Sequence, residues 1–175
     1  MKNSIILLSV LLTALGCAST KKLSTPLDFN SETGLNNIMR GTTEETILRT
    51  LGEPEFIDRE WEQTENLKYY NYYSKGVQIS VKDKKALCVF LFYKSKKFKK
   101  YSGSNNIFPL VRTIEGVKST FGEPDYFSQS TNKEYGEFPR QEETYISYEQ
   151  PGISFTFWNG ELGDIRFTKN QEDSL

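Results

Sequence analysis

Residues 51–54 read LGEP and residues 121–124 read FGEP, so Glu53 and Glu123 recur in one tripeptide seventy positions apart. Two carboxylates are the minimal equipment for general acid–base work, one donating a proton while the other accepts one. The remaining composition offers them little help. The 175 residues contain no histidine, which removes Ser-His-Asp and Cys-His catalysis together with the commonest metal ligand. Cys88, without histidine or a second free thiol, makes no zinc site, and its place in the apolar run ALCVFLF favours a small half-buried residue over a reactive thiol. The glycines are isolated, so no phosphate-cradling loop is written. The favoured reading of Glu53 and Glu123 is a solvent contact at the end of a helix, and the chain is expected to be no enzyme and to need no cofactor, metal or small-molecule substrate.

Charge is segregated although the net value is −1. Residues 82–100 hold eight lysines and one aspartate, whereas residues 123–149 hold seven acids against Lys133 and Arg140. Within the first block, Lys94, Lys96, Lys97, Lys99 and Lys100 surround Phe98 in KSKKFKK. Basic residues around an aromatic suit nucleic acid or anionic lipid. The plainest reading is a solvated linker; the near-neutral chain as a whole does not call for nucleic acid, and of the two ligands anionic headgroups are favoured.

That preference comes from the N-terminus. Lys2 begins it, an apolar run follows over 5–15, and Ala14-Leu15-Gly16-Cys17 closes it. The run is shorter than the roughly 20 apolar residues of a spanning helix, and small residues precede the cysteine. The stretch resembles a bacterial lipoprotein signal with its lipobox. The resemblance implies cleavage before Cys17, acylation of that cysteine and anchorage by lipid. Ala18 and Ser19 then imply the outer membrane over the inner. An ordinary secretory signal or a hydrophobic anchor is the alternative.

An offset of seventy aligns Thr43 with Thr113, Glu45 with Glu115, Ile47 with Val117 and Leu51 with Phe121. An offset of seventy-six then aligns Gly76 with Gly152, and Val77, Ile79 and Val81 with Ile153, Phe155 and Phe157. Internal duplication is the expected cause. Each copy predicts a helix capped by threonine, ended by a left-handed glycine and barred from continuing by proline. Period-two strands separated by turn sequences follow. The expected fold is α+β: two tandem repeats, each a short helical segment with a 3–4 stranded antiparallel sheet, joined into one curved sheet with helices on one face. The divisions are 1–16 signal, 17–30 lipidated cysteine and tether, 31–93 first repeat, 94–106 basic linker, 107–168 second repeat and 169–175 tail.

The unit over 41–54, G-x-T-x-E-x-I-L-x-x-L-G-x-P, resembles the small outer-membrane assembly lipoproteins called SmpA, OmlA or BamE. In tandem it resembles β-lactamase inhibitor protein. These resemblances imply a lipid-anchored binding module and supply no residue-by-residue site. The second copy departs from the pattern, with Val111 in place of Gly41 and Gly116 inside its helix.

Alternation then nominates a face. If Val77, Ile79, Val81 and Leu91 meet the helices, Phe90 and Phe92 point away, along with Tyr69, Tyr73, Tyr145, Trp158 and Arg166. Aromatics and arginine dominate protein-binding hot spots. The facing of the first strand in each copy stays open, because Tyr70, Tyr72, Ile146 and Tyr148 compete for the core. The expected function is protein binding or scaffolding, with outer-membrane assembly as one version. The alternative is an inhibitor-like module that occupies a soluble enzyme or host protein.

Overall fold

The computed structural model describes residues 26–132 and 141–170. The signal, Cys17 and most of the tether lie outside the described residues, as do part of the long loop of the second half and the last five residues.

Two helices are set by their ends. In α1 (Glu44–Leu51), extended Thr43 accepts a hydrogen bond from the Thr46 amide at 3.3 Å, and Glu44 and Glu45 occupy the first turn, where carboxylates meet the positive helix end. A short α2 (Glu62–Glu65) follows. In α3 (Ile114–Phe121), Thr113 accepts from the Gly116 amide at 3.0 Å. The stops differ from the left-handed glycine expected. Gly52 lies at φ 80°, ψ −173° and Gly122 at φ 84°, ψ −158°, a region essentially closed to residues with a Cβ.

Three very short strands, β1 (Asp28–Asn30), β2 (Gly34–Leu35) and a later β7 (Ser104–Asn105), form a sheet in the order β2-β1-β7. The other eight are β3 (Phe56–Asp58), β4 (Leu67–Tyr72), β5 (Val77–Lys82), β6 (Lys85–Phe92), β8 (Tyr126–Asn132), β9 (Gln141–Tyr148), β10 (Ile153–Trp158) and β11 (Glu161–Phe167). They form one antiparallel sheet ordered β3-β4-β5-β6-β11-β10-β9-β8.

This topology corrects the expected α+β chain of two tandem helix-plus-sheet repeats. The described residues are mostly strand, arranged as an eight-stranded and a three-stranded sheet, with three α-helices of eight, four and eight residues. The physical cause lies at the middle. β6 and β11 pair from Phe92 with Asp164 to Val89 with Phe167, so the edges that would bound two sheets satisfy each other's backbone groups. The three-stranded sheet joins the N-terminal segment to residues 104–105, and its Phe29 meets Phe167 edge-on at 5.4 Å over that junction. Phe29, Ile47, Val117, Phe155 and Phe167 are all fully buried on this side.

Candidate binding face

Strand register decides which side each ring takes. Tyr70 pairs with Ile79, Tyr72 with Val77, Ile146 with Phe155 and Tyr148 with Ile153, and all eight are buried in the core. The facing left open by the sequence is therefore settled. The Tyr72 and Tyr148 hydroxyls donate to the carbonyls of Gly52 (3.0 Å) and Gly122 (2.9 Å), and the Tyr70 hydroxyl donates to Glu44. Burial holds Tyr72 and Tyr148 above the ordinary phenol value, with Glu53 and Glu123 as further causes.

These contacts answer the repeated tripeptide. Each Gly-Glu-Pro is the joint between a helix end and the sheet, one beside β4 and the other beside β9. Five inter-strand spacings separate those strands, roughly 24 Å at 4.8 Å each, so Glu53 and Glu123 are not a carboxylate pair. The acids that follow fasten turns. Glu55 accepts from the Ser74 amide at 2.9 Å, and Asp125 from the Glu149 amide at 2.7 Å. The Ser74 side chain is the main cause of the low Glu55 pKa.

On the opposite side of the sheet, rings form a row. Phe56 stacks on Tyr73 with centroids 6.5 Å apart, Tyr73 meets Phe98 at 4.8 Å, Phe98 meets Phe92 at 4.1 Å, and Phe92 meets Phe90 at 6.3 Å. Arg166 continues the row, its guanidinium 5.6 Å from the Phe90 ring and 5.5 Å from the Tyr145 ring. Tyr145 then meets Tyr126 at 6.0 Å. The row runs from β3, at one edge of the sheet, to β8 at the other. Its ends are open, with Phe56 52% and Tyr126 57% exposed.

Of the nominated residues, Tyr73, Phe90, Phe92, Tyr145 and Arg166 belong to this row, although Tyr73 sits in a 3₁₀ turn (Tyr73–Lys75) and not in a strand. Tyr69 and Trp158 share the face but stand beside the row. The Trp158 indole lies against Gly163, where an added Cβ would come within 2.2 Å of it. Gly163 falls at the register shift between β10 and β11, so the bulge makes room for the indole. Burial is the main cause raising the Tyr69 hydroxyl. Phe56 and Tyr126 were missed in the sequence, and Phe98 was singled out there only as the aromatic of the basic run. The acid-aromatic pair after each Gly-Glu-Pro was the available signal for Phe56 and Tyr126.

Arg166 is built into the face. Its Nε donates to Asp164 Oδ1 at 2.8 Å, and the Thr156 hydroxyl lies 3.3 Å from the same oxygen. Asp164 is 5% exposed. Burial pushes its carboxyl above the ordinary range while Arg166 pulls it back. Burial opposes the charge on Arg166, yet Asp164, with smaller contributions from Tyr145 and Cys88, keeps the guanidinium above its usual value. The result is a half-exposed, permanently charged guanidinium fixed between two rings, suited to receiving a carboxylate or phosphate. Cys88 lies buried on the same face, its thiol pushed by burial up to about 12.

The five lysines do not converge. Lys94 pairs with Glu161 at 2.5 Å, the Lys99 amide donates to the Tyr73 carbonyl at 2.9 Å, and the Lys97 amide donates to the Ser95 hydroxyl at 3.2 Å. Phe98 turns toward the ring row, whereas Lys94 and Lys100 line a separate cleft with Tyr93 and Phe108. Lys96 is also engaged. Among the described residues, no group of three His, Cys, Asp or Glu side chains could hold a metal ion, and no helix is long and apolar enough to cross a membrane.

No family model matches the chain, and no curated protein matches it. Two solved structures are similar to it at low identity. One is an extracellular protein containing a SCP domain from Bacillus anthracis str. Ames, at 12% identity and a TM-score of 0.48, the match covering 86% of this chain and 50% of that one. The other is a cysteine-rich secretory protein from Staphylococcus aureus subsp. aureus Mu50, at 12% identity and a TM-score of 0.41, covering 85% and 52%. This chain thus spans about half the length of each. Neither likeness assigns it a family, a site or an activity.

Proposed function

We propose that this chain is a lipid-anchored, non-enzymatic module of the bacterial envelope that holds another protein on the ring-bearing face of its eight-stranded sheet. The observation that carries the reading is the row from Phe56 to Tyr126 with Arg166 inside it. Stiff rings lose little side-chain entropy on contact, and arginine between rings adds a directional charge, the combination that concentrates binding energy at hot spots. The partner suited to this face is a folded protein presenting an acidic side chain to the outer edge of Arg166, with apolar groups on either side. Membrane attachment rests on the lipobox-like sequence at Cys17, and outer-membrane assembly on the resemblance of residues 41–54.

The test is affinity capture from envelope extract, followed by binding measurements with the purified partner. Tyr126→Ala with Tyr145→Ala should weaken that complex at least about tenfold while leaving the melting temperature near that of the parent. Unchanged affinity in the folded variant would remove the face from consideration. A β-barrel assembly component as partner supports scaffolding, and a soluble or secreted enzyme supports the inhibitor-like alternative. Cys17→Ala should release the protein from membranes, and retention would defeat the lipid-anchor reading.

A further inference from the structure

A second site lies apart from the ring row, in a cleft of about 360 Å³ between the β10–β11 turn and the segment leading into α3. Its floor is rigid. Tyr93 stacks on Phe108 at 4.4 Å with planes 6° apart, and meets Tyr101 edge-on at 6.1 Å. The Tyr93 hydroxyl accepts from Asn105 Nδ2 at 2.7 Å, while Asn105 Oδ1 accepts from the Phe108 amide at 3.1 Å. The Tyr93 and Lys94 amides both donate to the Gly163 carbonyl, at 2.8 and 3.0 Å.

Two cations sit over the same Phe108 ring, the Arg112 guanidinium at 4.7 Å and Lys100 Nζ at 5.8 Å from its centroid. Tyr93 stacks on that ring, and both cations line the same cleft with it. Lys94 also lines the cleft, but Glu161 already neutralises it. Two like charges are thus gathered on one aromatic platform, and the carboxylate lining the cleft is paired with Lys94. An aromatic ring attracts each cation without compensating their mutual repulsion. A bound anion would compensate it.

We propose that this cleft binds a phosphate group, with Arg112 and Lys100 as its ligands and the Tyr93–Phe108 pair as the floor beneath the attached organic part. Guanidinium and ammonium suit phosphate oxygens, and the volume admits a headgroup-sized or sugar-sized body. The phosphate has two sources, an anionic lipid headgroup or a soluble phosphate ester. The site does not depend on the protein-binding reading.

The experiment is a titration of the ¹⁵N-labelled full chain with glycerol 3-phosphate and with a short-chain phosphatidylglycerol below its micelle concentration, each against sodium chloride at matched ionic strength. Saturable amide shifts at Gly160, Leu162 and Arg112 are expected. Lys100→Ala with Arg112→Ala should weaken binding at least about tenfold, whereas Lys97→Ala should not, and Glu161→Gln should strengthen it by freeing Lys94. Saturation by the lipid alone or by both probes identifies a headgroup site, and saturation by glycerol 3-phosphate alone identifies a soluble ester. Shifts reproduced by chloride, a lack of saturation with either probe, or full affinity in the double variant would overturn the site.

Discussion

A thiol held at about 12 stays protonated at neutral pH, and Cys88 is only 8% exposed. It should resist iodoacetamide in the folded protein at pH 8 and label fully in denaturant; rapid labelling of native protein would show that the thiol is accessible. Because the folded thiol keeps its proton beyond the ordinary 9.0, its contribution to stability is complete below that value and lost as pH rises toward 12. Asp164 follows the same sign at lower pH. Its folded carboxyl is raised from 3.8 by burial, so its favourable term is complete below 3.8 and lost as pH rises through the folded value. Arg166→Ala would leave that carboxylate without its cation. The expected cost near neutral pH is about 2 kcal/mol, below the range for fully buried pairs because Arg166 is more than a third exposed. Acidification should shrink the deficit, and Asp164→Asn in the same chain should restore most of it. Urea melts at two pH values measure both effects, and a deficit that ignores pH would assign the loss to packing.

At the scale of elements, the helix stops make the sharpest prediction. Nothing lies within 4 Å of a Cβ built on Gly52 or Gly122, so crowding predicts that alanine is harmless. Backbone conformation predicts otherwise: at φ 80° and 84° with ψ near 180°, each Gly→Ala substitution should cost about 1–3 kcal/mol. Thr43→Ala should cost about 1 kcal/mol through the lost cap. Equilibrium denaturation checks all three, and a cost near zero at both glycines would refute the backbone argument. These joints were legible in the sequence because threonine, glycine and proline act through the backbone within a few residues. The alternation of β5 and β10 was legible for the same local reason. The sheet of β1, β2 and β7 was not, since strands of two and three residues carry no period. Nor was the facing of Tyr70 and Tyr72, where tyrosine on either side of β4 satisfies alternation. Only cross-strand register with Val77 and Ile79 decides it, and register is a long-range property. The ring row was half legible for the same reason: strand alternation nominated Phe90 and Phe92, whereas Phe98 reaches them from a loop.

The whole molecule turns on the β6–β11 junction. Four residue pairs join the halves there, and Leu91, Val89, Ile165 and Phe167 are fully buried beneath them. Phe29, from the N-terminal segment, packs on Phe167 at the same place, so neither half closes its core without the other. Folding should therefore be a single cooperative transition. The chain contains two tryptophans, and they report on different halves: Trp61 at the start of α2, 46% exposed, and Trp158 at the end of β10. With Trp158→Phe isolating the first reporter and Trp61→Phe the second, fluorescence should follow the same denaturant transition as circular dichroism within each variant. Leu91→Ala, added to either background, should shift the respective transition by a common free energy of about 2–5 kcal/mol. Two separated transitions, or a Leu91→Ala effect confined to the Trp61 signal, would mean that the halves fold independently and that the ring row is continuous only when they happen to dock.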